Sequence, residues 1–372
     1  FPRHFKILLP GRGNREGAAV KLSDFDYPLP PERIAQHPPE KRGTSRLLVL
    51  HRENGSRENR SFPDLAEYLR PGDVLVLNDT RVLPARLVGR KGSGGKVEVL
   101  LVRKREAQGE RVDSQEWECL AQGSGRLPDA TRIFFEESVE GDLRGRTPEG
   151  LWRLTLRGRT GEDLDRTLGR IGFAPLPPYI RRGDGSLRAR DRERYQTVYA
   201  RVDGAIAAPT AGLHFTEEIL QKVMGKGVRV VSLTLHVGMG TFLPVKSERV
   251  EAHRPAPESF VLPEEAAWAI NEARAAGGRV WAVGTTVTRA LESSTDEGGK
   301  VHPRKGQTDL FILPGYRFKA VDALVTNFHL PRSTLLMLVT AFAGRERILA
   351  AYAEAVQRGY RFYSYGDAML IL

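Results

Sequence analysis

Two short runs in this chain combine residue types that are wasteful in a core and useful around a ligand. The first is Ala207-Ala-Pro-Thr210-Ala-Gly212-Leu-His214-Phe215, and the second is Leu235-His236-Val-Gly238-Met-Gly240-Thr241-Phe242. Each sets an imidazole beside glycine and threonine. Glycine lets a ligand approach the backbone closely, and an imidazole exchanges protons near neutral pH. His214 can act as a general acid or base, with His236 as its partner or as a substrate contact. Gly238, Gly240 and Thr241 can form a backbone cradle, and Thr210, Gly212 and Phe215 complete the first wall of such a site. Either histidine can equally be a buried side chain satisfied by backbone groups.

Further polar clusters fall where strands or helices should end, which is where sites usually form. Asn78-Asp79-Thr80-Arg81 follows an apolar run. Asp79 can be a base or can accept from a hydroxyl, and Arg81 and Arg86 can hold phosphates, although Asn-Asp-Thr is also ordinary turn chemistry. Gly284-Thr285-Thr286 opens a helix that carries Arg289. Hydroxyls and N–H groups there can bind a carboxylate or phosphate, or the threonines can simply cap the helix. Asp309 and the turn Asn327-Phe-His329-Leu-Pro-Arg332 add polar groups suited to a small molecule. No His-x-x-x-His spacing with a carboxylate links His214, His236, His253 and His329, so no metal site is expected.

The elements that must position these residues fall into two kinds. Val74–Leu77, Val97–Val102, Trp117–Ala121, Thr131–Phe135 and Leu151–Leu156 read as strands separated by turns, which argues for a small all-β barrel over residues 71–159. Residues 21–70 and 160–372 alternate strand and helix, as expected for a discontinuous α/β domain with a mixed, barrel-like sheet. Helices are expected at Glu162–Ile171, Glu217–Met224, Pro263–Ala276, Thr334–Ala343 and Arg347–Gln357. Strands are expected at Val228–Leu235, Arg279–Val283, Asp309–Leu313, Ala323–Thr326 and Arg361–Tyr365. Residues 1–20 read as a disordered or extraneous extension.

The chain has 372 residues and a formal charge of +11. That balance suits a polyanionic partner such as RNA. Arg181–Arg194 reads as a charged loop in which Arg181, Arg182, Arg190 and Arg194, next to Tyr195, suit phosphates and stacked bases. No apolar run is long enough to cross a membrane. The one cysteine, Cys119, cannot form an internal disulfide, which fits a cytoplasmic protein.

Taken in order, long segments of the sequence resemble the S-adenosylmethionine:tRNA ribosyltransferase-isomerase family of queuosine biosynthesis. They are Leu22–Tyr27, Arg70–Val82, Pro177–Arg181, Glu193–Ala200, Ala208–Phe215, Leu235–Phe242, Val283–Thr286, Pro314–Phe318, Thr326–Pro331 and Tyr360–Ala368. The resemblance spans residues 22–372. It implies an enzyme that moves the ribosyl part of S-adenosylmethionine to the aminomethyl group of 7-aminomethyl-7-deazaguanine at the tRNA wobble position. The product is epoxyqueuosine, and adenine and methionine leave. S-adenosylmethionine is then a consumed co-substrate, no cofactor is needed, and the protein is expected to be a monomer.

On this resemblance His214 is the expected general base or acid, supported by His236, with Asp79 in a second proton-transfer role or on the ribose. Thr285, Thr286 and Arg289 are expected on the methionine carboxylate, and Asn327 and His329 on a base. Arg81, Arg86 and the arginine loop are expected on tRNA phosphates. One departure stands out: the family pattern His-x-Met-His-x-Glu reads His253-Arg-Pro-Ala256-Pro-Glu258 here. A non-catalytic tRNA-binding paralogue and a nucleoside hydrolase are the competing readings.

Overall fold

The computed structural model describes residues 20–105, 111–125, 127–159, 161–182, 186–238 and 248–372. The expected extension, apart from Val20, lies outside the described residues, and so do Gly240 and Thr241.

The chain opens with an antiparallel pair, β1 (Arg46–Leu50) and β2 (Arg57–Ser61), then a helical turn α1 (Leu65–Tyr68) and β3 (Val74–Asn78). A short β4 (Thr80–Val82) leads to six consecutive strands: β5 (Arg86–Lys91), β6 (Lys96–Arg105), β7 (Ser114–Gly123), β8 (Thr131–Phe134), β9 (Glu140–Arg146) and β10 (Trp152–Arg157). These six close into an antiparallel barrel in the order β10-β7-β6-β5-β8-β9. Period-two alternation fills it: Val97, Val99 and Leu101 of β6 and Trp117 and Cys119 of β7 point into one buried cluster.

The rest alternates. Helices α2 (Leu164–Ile171) and α3 (Arg188–Arg194) precede β11 (Val202–Ala205), α4 (Glu217–Gly225), β12 (Arg229–Leu235) and β13 (Glu258–Leu262). Then come α5 (Glu264–Ala275), β14 (Val280–Val283), α6 (Thr285–Ser293), β15 (Arg304–Thr308), β16 (Ala323–Asn327), α7 (Thr334–Ala343), α8 (Arg345–Gln357) and β17 (Ala368–Ile371). Side-chain caps start several helices: Asp163 accepts from the first turn of α2, Thr216 from Ile219 N–H in α4, and Ser333 from Leu336 N–H in α7.

A nine-stranded mixed sheet runs β15-β13-β12-β3-β14-β16-β17-β1-β2, with β15 and β2 as its edges. Strands β12, β3, β14 and β16 are mutually parallel, and β17 runs antiparallel to β16. The α/β sheet with a smaller all-β barrel is the architecture expected from the sequence.

Several finer expectations are corrected. Strand β3 was expected among the barrel strands, but it lies mid-sheet, with all five residues buried between β12 and β14. The chain enters the barrel only at Arg86 and leaves it after Arg157. Asp309–Leu313 is not a strand; the strand precedes it, as β15. The last strand is Ala368–Ile371 rather than Arg361–Tyr365, because Tyr363 sits at φ 75°, where a β-strand cannot continue. The charged segment before Tyr195 is partly helical, as α3.

Candidate active site

Parallel strands direct their carboxyl ends to one side of the sheet, and crevices form there where the connections diverge. Strand β3 has β12 on one side and β14 on the other, so Asn78, Leu235, Val283 and Asn327 end together. Asn78 locks this region, since its amide bridges the N–H and carbonyl of Leu235 at 2.9 Å each. Beside it lies an open cleft. Its walls come from distant segments: Pro177 and Tyr179, Tyr195, Ala207–Ala211, Val237, Gly284–Thr286, Arg289, Thr326–His329, Leu335, and Tyr363–Ser364.

One side of the cleft suits an anion. Gly284 turns sharply from β14 into α6 at φ 95°, a conformation that favours glycine, and Thr285 and Thr286 begin the helix. The first N–H groups of α6 therefore border the cleft, with the helix dipole favouring negative charge. Arg289 lies one turn on. It is pinned by an ion pair to the buried Glu258 and by a bond from Nε to the Leu310 carbonyl at 3.0 Å. Glu258 Oε1 also accepts from Gly238 N–H at 3.0 Å, so the second glycine run is tied to Arg289 through one carboxylate. The retained glutamate of the departing His253–Glu258 segment thus has a structural partner, whereas Ala256 lines a neighbouring pocket with Leu310, Phe311 and Leu338 as well as Glu258 and Arg289.

The other side is aromatic and amide-rich. Tyr179 and Tyr363 meet edge to face with ring centroids 3.9 Å apart, and the Tyr179 hydroxyl bonds Ser364 Oγ. Burial raises the pKa of Tyr195 and pushes that of Tyr363 up to about 12, so both keep their protons. His329 bonds Thr326 Oγ1 through Nε2 at 2.8 Å, and burial pushes it down to about 3.

The three residues assigned proton transfer do not line this cleft. His214 stands behind Asn327, with Nε2 at 3.0 Å from Asn327 Nδ2 and Nδ1 at 2.9 Å from Ser45 Oγ. Burial lowers it to about 4. His236 holds Thr80 Oγ1 at 2.8 Å through Nδ1, and Gly204 packs on its ring so closely that a Cβ there would come within 2.7 Å. Burial lowers its pKa as well. Asp79 is buried with both oxygens taken: Oδ2 pairs with Arg201 at 2.8 Å and Oδ1 accepts from Thr234 Oγ1 at 2.6 Å. Both ring nitrogens of His214 and both oxygens of Asp79 are hydrogen-bonded within the fold, and the structure places all three residues outside the cleft lining rather than in it.

Of the other expected residues, Thr210, Thr285, Thr286, Arg289, Asn327 and His329 meet in the cleft. Gly212 serves it indirectly, since a Cβ there would lie 2.0 Å from Tyr199 Oη. Phe215 is core instead, packed on Phe62 at 5.0 Å. Asp309 is exposed and outside the cleft. Tyr195, expected on RNA, is 1% exposed and belongs to the cleft wall. Two arginines are also corrected. Arg182 forms a buried two-point pair with Asp191 (2.7 and 2.9 Å), and Arg194 donates to the carbonyls of Pro39 and Glu40. Arg86 is engaged by Glu98 at 2.6 and 2.7 Å, and Arg81 donates to the Ala200 carbonyl at 3.2 Å; Arg181 and Arg190 remain exposed. Tyr179, Tyr363, Ser364 and Ser45 were given no role from sequence. Three of these lie in segments that carry the family resemblance, but nothing in residue type distinguishes them from packing residues.

These features define a small-molecule-binding α/β protein with a barrel built between two of its sheet strands. Residues 22–371 match the model of a family described as queuosine biosynthesis protein, and the chain belongs to that family. An S-adenosylmethionine:tRNA ribosyltransferase-isomerase of Geobacter metallireducens is 50% identical over 352 residues, covering 95% of this chain and 100% of that protein. One of the same name from Anaeromyxobacter sp. strain Fw109-5 is 54% identical, covering 95% and 99%. The crystal structure of S-adenosylmethionine tRNA ribosyltransferase from Thermotoga maritima is similar with a TM-score of 0.52 and 39% identity, covering 94% of this chain and 100% of that one.

Proposed function

We propose that this protein is an S-adenosylmethionine:tRNA ribosyltransferase-isomerase. It transfers and isomerises the ribosyl moiety of S-adenosylmethionine onto 7-aminomethyl-7-deazaguanine at the tRNA wobble position, and it releases adenine and methionine. The observation that carries the reading is convergence. Segments as distant as Pro177–Tyr179, Ala208–Ala211, Gly284–Thr286, Thr326–His329 and Tyr363–Ser364, all within the family-like stretches, wall one cleft.

The cleft's chemistry fits a sulfonium nucleoside. The α6 terminus and Arg289 offer a seat for the methionine carboxylate. The tyrosines offer faces for a base and for the sulfonium. Binding both ends fixes the reacting carbon in place, which is worth much of the rate enhancement of a transfer. The tRNA contacts on this reading fall to the exposed Arg181 and Arg190 rather than to the arginines already paired. The protein acts as a monomer in the cytoplasm, where sedimentation at working concentration checks the first point.

The test is incubation with S-adenosylmethionine and tRNA carrying the deazaguanine. Adenine and methionine appearing only when that tRNA is present is the expected result. Release without tRNA points to a hydrolase, and no release points to a non-catalytic tRNA binder; either outcome overturns the reading.

A further inference from the structure

Asn327 closes β16 in the cleft wall and is 3% exposed. Its Nδ2 donates to the Tyr363 carbonyl at 3.3 Å and to His214 Nε2 at 3.0 Å. A carbonyl oxygen can only accept, so the Tyr363 contact fixes which branch of the amide is nitrogen. His214 Nε2 must then accept, and its proton sits on Nδ1 and is donated to Ser45 Oγ at 2.9 Å. Burial favours this neutral imidazole.

One atom is left over. Asn327 Oδ1 is buried and has no hydrogen-bond partner among the described residues. Leaving such an acceptor unpaired costs about 1–3 kcal/mol. Flipping the amide gives no relief, because it sets Oδ1 against the Tyr363 carbonyl and the His214 lone pair. The backbone that presents that carbonyl is itself held in an uncommon conformation: Tyr363 has φ 75°, and its N–H donates to the Phe328 carbonyl at 3.0 Å. The protein thus maintains an oriented acceptor at some cost, beside a ligand cleft.

We infer that Asn327 is the residue that selects the base of the nucleoside, its Oδ1 accepting from an exocyclic amine, and that His214 is the positioning residue that holds the amide in register. This rests on the reading that the cleft takes S-adenosylmethionine. Along the strand ends, the α6 turn follows β14 on one side of Asn327 and Tyr363–Ser364 precedes β17 on the other. The carboxylate belongs with the helix terminus, which leaves the purine for the tyrosine side. A 6-amino purine supplies the missing donor. A 6-oxo purine presents an acceptor to an acceptor.

The experiment compares S-adenosylmethionine with its deaminated 6-oxo analogue, in tRNA-dependent base release and in direct binding. Wild-type protein is expected to prefer the 6-amino compound by about 100-fold or more in kcat/KM. His214→Phe, which removes the acceptor for Nδ2, is expected to raise KM for S-adenosylmethionine and to cut that preference about tenfold. His214→Gln, whose side-chain oxygen can take the same bond, is expected to restore it. If His214→Phe does not fold, Ser45→Ala, which frees the tautomer, is the second variant and is expected to reduce the preference in the same direction. Equal use of the two compounds by wild-type protein overturns the inference while leaving the transferase reading intact. Unchanged preference in both His214→Phe and Ser45→Ala overturns the positioning role. Absence of tRNA-dependent adenine release from S-adenosylmethionine overturns the underlying reading instead.

Discussion

The buried histidines make the protein's stability depend on pH in a window where little else titrates. Burial lowers His214 to about 4 and His329 to about 3, against an ordinary value of 6.5. In both cases the folded state holds the proton less tightly than the unfolded chain does. The stabilisation is therefore complete above about pH 6.5 and is lost as pH falls from there toward the folded values. Between about pH 8 and pH 5 each histidine should cost about 2 kcal/mol, or about 4 kcal/mol together. That is a large share of a typical folding free energy of about 5–15 kcal/mol. His236 and His253 are lowered as well and add to the same slope. Carboxylates held below their usual range, such as Asp73, lose their contribution only below about pH 4 and stay out of the window. The perturbation is His214→Gln, which keeps an acceptor for Asn327 and removes the titration. Urea unfolding at several pH values should show the loss between pH 8 and pH 5 reduced by about 2 kcal/mol in the variant. A variant that loses as much stability as wild-type protein over that range refutes the account of His214 as a desolvated, neutral group.

Three further outcomes follow from the geometry. Arg182→Ala breaks the buried pair with Asp191 and should cost about 3 kcal/mol of stability, whereas Arg190→Ala should leave stability unchanged and reduce the salt dependence of tRNA binding by about one charge; unfolding curves and binding titrations at graded salt decide, and the reverse pattern refutes the assignment. Gly212→Ala places a methyl 2.0 Å from Tyr199 Oη, so the wall after Pro209 must shift, with about 1–3 kcal/mol lost and weaker S-adenosylmethionine binding by calorimetry; wild-type stability and affinity together would count against it. Glu258→Gln keeps an acceptor for Gly238 N–H but leaves the partly buried Arg289 without its counter-charge, so thermal unfolding should show a loss of about 3 kcal/mol, and an unchanged midpoint would sink the claim that this pair braces the cleft.

Residue pattern revealed the kinds of element more readily than their places. Val74–Leu77 is an unmistakable buried strand, but an apolar run does not say which sheet buries it, and a neighbouring series of barrel strands drew it to the wrong partner. Arg361–Tyr365 has strand-like aromatics, yet its backbone turns at Tyr363, whose carbonyl accepts from Asn327, and no propensity encodes that turn. The glycine and threonine turns at Thr210 and Gly284 were legible as cleft walls, because their physical reason is local: small side chains and free N–H groups. The surroundings of His214 and Asp79 were not. Both have the right functional groups, and only the three-dimensional environment shows that Ser45, Asn327, Arg201 and Thr234 already use them. The engagement of Arg182 and Arg194 was hidden for the same reason. Composition counts charges, but it does not count the carboxylates and carbonyls folded against them.

The same burial that keeps His214 neutral fits the cleft to a cation. An imidazolium about 5 Å from a sulfonium would repel it by about 3 kcal/mol at an effective dielectric of about 20. Desolvation keeps His214 and His329 neutral, and it keeps the protons on Tyr195 and Tyr363, whose ring faces attract positive charge. Arg289, the fixed cation among the described lining residues, is balanced by Glu258. A chain with a formal charge of +11 can therefore present a cleft wall with almost no net charge. Its excess of positive charge stands outside, on exposed side chains such as Arg181 and Arg190, where a polyanion can meet it. On the proposed reading the two substrates carry opposite charges, and the fold meets each with a different part of its surface: a near-neutral, tyrosine-bearing cleft for the sulfonium, and a basic exterior for the RNA.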